Sequence, residues 1–490
     1  MLCNNDEVKC MDLERLFYPR SIAVIGASPN LGGGKLPYYQ LMKLTGYKGR
    51  MYPINPKYTD IDGEKVYRSL DDLPESVDFA IASVPAKLAL ETVEAAAINK
   101  TKFLHFFTSG FSEVGNVSLE NEMMLAARKG GTRIIGPNCI GVHCTESGIT
   151  CDLPKPPIHE VGNVAFLGQS GGMTNNFMRM AYSRYLGLNK VVSYGNQIDL
   201  RVEEYMEYLA NDDTVKVIAA YIEDIKNPRA FIEVLSKTTP LKPVIILKGG
   251  TTELGAKAAA SHTGAMAARH ELWGAIMRQY GCIEANNFEH MVDLVMMAVA
   301  NNVPGGPRLG FLGAGGGTSV LFTDFAATEN MTLPELHKDT QALISQKISN
   351  VNTSTTNPVD LGFYGFDFNI MAHTIEAMAS DDNIDVIIPY FSLDFITSFQ
   401  GDQLESGPHA IVEAAAKTNK PIVPILSRFT ENVIEVEEVR IRLTSIFRKA
   451  GLAVYSTPQD AINAISGMLT WRMGHSTQAD STSKFKVSGL

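Results

Sequence analysis

One histidine in this chain stands where it could carry a phosphoryl group. It lies in Ser261-His262-Thr263-Gly264, just ahead of Ala265-Met266-Ala267-Ala268, which reads as the start of a helix. A single histidine beside capping residues is ordinarily a polar loop group. Two neighbours raise its interest. The preceding loop, Lys248-Gly249-Gly250-Thr251-Thr252-Glu253-Leu254-Gly255, is small and polar, suited to a moving segment. Further upstream, the apolar run ending Ala220-Tyr221-Ile222 places Glu223 at a strand exit, where catalytic groups of parallel sheets belong. A carboxylate that accepts from one ring nitrogen fixes the tautomer and frees the other nitrogen to attack phosphorus. The phosphohistidine so formed needs amide donors around its oxygens. Ser170-Gly171-Gly172, between a strand and a helix beginning near Met173, could supply them.

A second set of turns points to a phosphate-bearing ligand. The run Ser21 to Gly26 leads into Ala27-Ser28-Pro29-Asn30 and then Gly32-Gly33-Gly34. Glycine at the end of a first strand lets backbone amides approach a phosphate at the next helix start. The spacing is not G-x-G-x-x-G, because Ser28 and Leu31 occupy the later glycine positions, so a nicotinamide dinucleotide fits poorly. Four more loops follow strands of the same region: Asn55-Pro56-Lys57, Ser83-Val84-Pro85, Thr108-Ser109-Gly110 and Gly136-Pro137-Asn138. In an open parallel sheet such ends line one crevice.

The elements that must hold these loops are short apolar runs alternating with helix-length segments. Strands are expected at Ser21 to Gly26, Met51 to Asn55, Phe79 to Val84, Phe103 to Phe107 and Arg133 to Ile135. A second set falls at Val164 to Leu167, Lys190 to Ser193, Val215 to Tyr221 and Val244 to Leu247. A third comprises Leu309 to Leu312, Val386 to Pro389, Ile422 to Ile425 and Ala453 to Tyr455. Continuous rather than alternating apolarity suits parallel strands covered on both faces, so the fold class is α/β, repeated three times. Turn-rich stretches at Pro154-Lys155-Pro156-Pro157 and from Asn301 to Pro307 mark boundaries. Gly162 to Gly172 parallels Pro307 to Gly317, which suggests two flavodoxin-like copies behind a distinct first unit.

Composition sets the outer limits. With 43 basic and 53 acidic residues the net charge is −10, which argues against a nucleic-acid binder. No apolar run reaches the 18 or so residues that a bilayer requires. Met1 to Glu7 lacks the basic start and apolar stretch of a secretion signal, so the reading is cytoplasmic. The six cysteines form neither C-x-x-C nor zinc spacing; buried, reduced thiols are expected, with no metal site.

Taken together, the motifs resemble the NDP-forming acyl-CoA synthetases, relatives of succinyl-CoA synthetase. The resemblance covers about Leu13 to Arg472. It is carried in order by Ser21 to Ser28, Pro53 to Lys57, Gly136 to Gly141, Gly168 to Gly172, Val192 to Asn196, Ala260 to Gly264 and Thr356 to Leu361. It implies a Rossmann-like coenzyme A domain over 1–155 and two flavodoxin-like ligase domains over 156–303 and 304–474; the Ser/Thr/Lys/Gly-rich residues 475–490 read as a disordered tail. By the same resemblance His262 is the phosphorylated residue, Glu223 steadies it, and Ser170, Gly171 and Gly172 hold the phosphoryl group. Coenzyme A would lie against Gly26, Ser28, Asn55, Lys57, Val84, Pro85, Ser109 and Asn138. Asn196 and Asp199 belong to a family motif without an assigned role. Departures occur at Ala268-Arg269-His270 and at Arg201. The family's ATP-grasp module has no room after the third unit. ATP, ADP and Mg2+ would then enter through a separate β subunit, in an αβ or α2β2 assembly acting on a small carboxylic acid. The alternatives are an ATP-independent acyl- or carbamoyl-transferring relative and a non-catalytic coenzyme A-binding regulator.

Overall fold

The computed structural model describes residues 13–29, 36–152, 160–255, 257, 270–399 and 404–484, leaving aside the side chains of 270–272 and 475–484. The chain divides into two compact units, 1–284 and 285–490.

The first sheet of the N-terminal unit holds β1 (Ser21–Ile25), β2 (Arg50–Ile54), β5 (Phe79–Ala82), β6 (Phe103–Phe106) and β7 (Arg133–Ile135), with a two-residue hairpin, β3 (Asp60–Ile61) and β4 (Glu64–Lys65), outside it. Its order is β2-β1-β5-β6-β7, and every pair is parallel. All four residues of β5 and of β6 are buried, as strands covered on both faces must be. Helices α1 (Glu14–Phe17), α2 (Tyr38–Thr45), α3 (Ala89–Asn99) and α4 (Val117–Gly130) flank this sheet in sequence. Chain order reverses on either side of β1, so a crevice opens between the exits of β1 and β5. Gly26 sits there with φ +89°, and a Cβ on it would lie 2.5 Å from the Ser83 carbonyl oxygen, so only glycine fits.

The second sheet is ordered β13-β12-β11-β9-β10-β8, from β8 (Gly141–Cys144), β9 (Val164–Gly168), β10 (Leu188–Ser193), β11 (Val217–Ile222), β12 (Val244–Lys248) and β13 (Ile283–Glu284). Helices α5 (Gly171–Ser183), α6 (Val202–Ala210) and α7 (Pro228–Thr238) connect its strands. Strand β8 was not foreseen. It follows the first sheet in the chain, yet pairs antiparallel with β10, Val191 opposite His143. Compactness therefore draws no line near 155, and the Pro154–Pro157 turn lies outside the described residues.

Half-buried and buried ionic contacts fasten the two sheets. Arg133 leaves β7 and meets Asp199 at 2.8 Å and Glu204 at 2.9 Å, while Asp199 also accepts from the Ile134 N–H at 2.8 Å. Lys190, 1% exposed, pairs with Asp212 and stacks over the rings of Phe17 and Tyr18. A buried ammonium is tolerable only when paired in this way.

The C-terminal unit carries a parallel sheet, β15-β14-β16-β17, from β14 (Leu309–Gly313), β15 (Val359–Asp360), β16 (Val386–Ser392) and β17 (Ile425–Ser427). The expected strand at Ile422 to Ile425 starts only at Ile425, since Pro424 cannot donate to a ladder, and Ala453 to Tyr455 yields an isolated bridge. By compactness the helix Phe288–Ala298 groups with this unit, where it packs on the helix Pro458–Lys484. That last helix runs through residues read as a tail. Its first turns bury Ala461, Ile462, Ala464, Ile465 and Met468 completely, and a helix so nucleated propagates at little cost.

Two buried imidazoles make the N-terminal unit acid-sensitive. His105 on β6 bonds the Cys139 carbonyl, and His143 on β8 contacts Thr145, Thr150 and Tyr182. Burial lowers each from 6.5 to about 4. Between these values the unfolded chain binds more protons, so stability present above pH 6.5 should fall towards pH 4, by up to about 3 kcal/mol per ring. Urea denaturation followed between pH 7 and 4 checks this, and His143→Gln should remove about half of the slope.

Candidate functional site

The exits of the two N-terminal sheets face one another across a cavity of about 560 Å3. One wall comes from the first sheet: Ser83-Val84-Pro85 after β5, Phe107-Thr108-Ser109 after β6, and Asn138-Cys139-Ile140 after β7. The Thr108 hydroxyl donates to the Val84 carbonyl and ties two of these loops together. The other wall comes from the second sheet: Gln169 to Gly172 after β9, Gly195-Asn196 after β10, and Glu223 with Lys226 after β11.

Of the residues expected around a coenzyme, Val84, Pro85, Ser109 and Asn138 line this cavity. Gly26 and Ser28 line a smaller hollow that shares Ser83 with it. Asn55 is bonded into the same corner, its amide donating to the Ala27 carbonyl at 2.7 Å and its oxygen accepting from the Lys57 N–H at 3.0 Å. Lys57 is exposed and lines neither space. Gly32 to Gly34 lie outside the described residues.

On the facing wall, Ser170 caps α5, its hydroxyl accepting from the Met173 N–H at 3.5 Å. That leaves the amides of Gly171 and Gly172 among the unmatched donors of a first helical turn, at the positive end of the dipole. A Cβ on Gly172 would meet nothing within 4 Å, so the approach is open. Such an arrangement suits a tetrahedral anion.

Glu223 is held from three sides. Its N–H donates to Gln169 Oε1 at 2.8 Å. Its carbonyl accepts from Lys248 Nζ at 2.8 Å, and its carboxylate bonds the Tyr221 hydroxyl. Burial lowers the Lys248 ammonium. Gly249 permits the approach, since a Cβ there would stand 2.7 Å from the Tyr221 hydroxyl oxygen. His262, its expected partner, lies outside the described residues. Cys139 also lies in the cavity wall, where burial pushes its thiol up and disfavours the thiolate.

The Asn196–Asp199 segment acquires a role. Asn196 and Ile198 donate from their N–H groups to the carbonyls of Pro137 and Gly136, and Leu200 to Ile134. The Asn196 amide bridges Glu113 at 2.7 Å and Glu120 at 2.9 Å. Burial alone would raise Glu113, but the Gly110 N–H and the Asn196 amide outweigh it and hold its carboxyl below the usual range. Glu113 in turn fixes the loop that carries Ser109. Glu113, Glu120 and Lys226 escaped sequence reading because solvated faces carry the same residue types; only Lys226, three residues after Glu223, had a positional signal.

A model described as a CoA binding domain matches residues 20–145, and one described as a succinyl-CoA ligase-like flavodoxin domain matches 161–298. The chain is 32% identical to the acetate–CoA ligase (ADP-forming) II subunit alpha of Pyrococcus furiosus, over 92% of this chain and 96% of that one. The chain belongs to the family of ADP-forming CoA ligases. These are acid–thiol ligases, and in extent this chain corresponds to their alpha-type subunit. It is 36% identical to the acetate–CoA ligase (ADP-forming) of Methanocaldococcus jannaschii, of which it spans about half, 49%. Among solved structures, the dinucleotide-forming acetyl-coenzyme A synthetase 1 of Ca. Korarchaeum cryptofilum, in complex with phosphate and ADP, superposes with a TM-score of 0.85 at 30% identity, covering 96% of this chain and 99% of that one. Among the described residues no helix is long and apolar enough to cross a membrane.

The Asn196 bridge is testable. Asn196→Ala leaves two carboxylates facing each other and should cost about 1–3 kcal/mol at pH 7.5, whereas Asn196→Asp adds a third and should cost more. Urea titration at pH 7.5 and pH 4.5 checks the cause, because protonation should narrow the gap between the two variants.

Proposed function

We propose that the chain is the α subunit of an NDP-forming acyl-CoA synthetase, which interconverts a small carboxylate, coenzyme A and ATP with acyl-CoA, ADP and phosphate. The observation that supports this most is the shared cavity, where loops of the coenzyme A domain face the first turn of α5 and Glu223. Bound coenzyme A supplies the thiol that exchanges with phosphate at the acyl carbon. The chain's own residues do the positioning. The loops carrying Val84, Pro85, Ser109 and Asn138, with Gly26, Ser28, Asn55 and Lys57 beyond them, form the coenzyme side. Ser170, Gly171 and Gly172 hold the phosphoryl oxygens.

In the direction of ATP formation, a phosphate oxygen attacks the thioester carbon and the C–S bond breaks, giving acyl phosphate and free thiol. A ring nitrogen of His262 then attacks phosphorus, the P–O bond breaks, and the carboxylate leaves with the electron pair. Glu223 accepts from the other ring nitrogen and stabilises the cationic imidazole that results. ATP, ADP and Mg2+ act on a separate ATP-grasp β subunit, which takes the phosphoryl group from His262. The rate gain lies chiefly in placement and in fixed dipoles, as for other phosphoryl transfers.

Incubation with acyl-CoA and phosphate should give an acid-labile, base-stable phosphorylation at His262, read by mass spectrometry of the intact and digested chain. Undiminished labelling of His262→Ala would refute the assignment. Glu223→Gln should keep coenzyme A affinity within about twofold yet lower turnover with the β partner by roughly 100-fold or more.

A further inference from the structure

We infer that Gln169 is a ligand-binding residue whose side-chain amide donates to an oxygen of the phosphoryl group seated at the start of α5. This deepens the phosphoryl-transfer reading above and rests on it. Gln169 is 5% exposed and lines the cavity directly before the capping Ser170. Its Oε1 accepts from the N–H groups of both Glu223 and Asp224, at 2.8 Å each. Its backbone N–H donates to the Tyr221 carbonyl at 3.1 Å, so main chain and side chain are both fixed. Two donors on one oxygen decide which way the amide faces. The oxygen end is committed to the 223–224 turn, and the NH2 end points away from it. Among the described residues no acceptor meets that NH2. The side chain is buried as a whole, yet this donor is not among the sealed, unpaired ones; it opens onto the cavity that Gln169 lines, a pre-positioned half of a hydrogen bond.

The charge around the cavity says what the other half is. Lys226 is the sole cation among the described lining residues, and its ammonium already stands 2.8 Å from Asp224. Glu223 adds a negative charge to the same wall. A phosphate dianion must therefore be held mainly by neutral N–H dipoles, the first-turn amides of α5 and the Gln169 amide together.

The experiment is calorimetric titration of the full chain with inorganic phosphate and, separately, with coenzyme A. Gln169→Glu keeps an acceptor for the Glu223 and Asp224 N–H groups but replaces the donor by a negative charge, so the loss must also be seen in Gln169→Met, which removes the donor without adding charge. Gln169→Glu should weaken phosphate binding by at least roughly tenfold while coenzyme A affinity stays within about twofold. Unchanged phosphate affinity overturns the inference. Should Gln169→Glu fail to fold, Gln169→Met, close in shape and without a donor, must show the same loss, and its failure to do so is equally decisive. Gly172→Val separates the two levels of the argument. If it abolishes phosphate binding while Gln169→Glu does not, the cradle stands and the role of Gln169 falls. If the unaltered chain takes up no phosphate, both fall.

Discussion

The site depends on one constraint: the exits of two different sheets must face each other at a fixed separation. The Arg133 guanidinium supplies much of it, since it leaves the last strand of the first sheet and is held by Asp199 and Glu204 of the second. Asp199 also accepts from the Ile134 N–H, so the charge pair and the backbone are locked together. From that lock the chain runs back through Ile198 and Asn196, bonding to the loop that carries Asn138. A shift in the pair would be felt at once at the cavity wall.

The antiparallel strand β8 works in the same direction by different means. It carries the chain out of the coenzyme A domain and into the edge of the neighbouring sheet, where four paired residues fix its register. Two domains that could have been joined by a flexible linker thereby share a continuous covalent and hydrogen-bonded path. Both walls of the cavity belong to one compact unit. Pre-organisation of this kind is what a transfer between a thioester and phosphate demands, because misplacement of reacting groups is costly.

Electrostatics follow from the same geometry. The chain is acidic overall, at −10, yet the proposed anion seat does not need a basic patch. Backbone amides at a helix start and a side-chain amide act as fixed dipoles in a confined space, and they leave the carboxylate of Glu223 unquenched. Supporting groups are chosen accordingly. The Tyr221 hydroxyl bonds the Glu223 carboxylate and the Lys248 ammonium its backbone carbonyl.

Much of this was legible in the residues. Continuous apolar runs ending in Gly, Ser or Asn turns fixed the parallel strands and the edge of the sheet that carries chemistry, because burial on both faces admits few other patterns. The ordered motifs from Ser21 to Leu361 determined the family. Three things escaped. Gly-Val-His-Cys of β8 is too short and mixed to announce a strand, and only the partner edge of β10 makes it one. Glu113, Glu120 and Lys226 look like solvated charges until the loops converge. Gln169 reads as a motif letter, and only its two backbone donors reveal which end of the amide is free. Sequence by itself thus determined the local elements and the kinds of groups at their ends, since those follow from propensity and pattern. Tertiary structure decided which ends meet and which way each polar group points, since these depend on contacts between residues far apart in the chain.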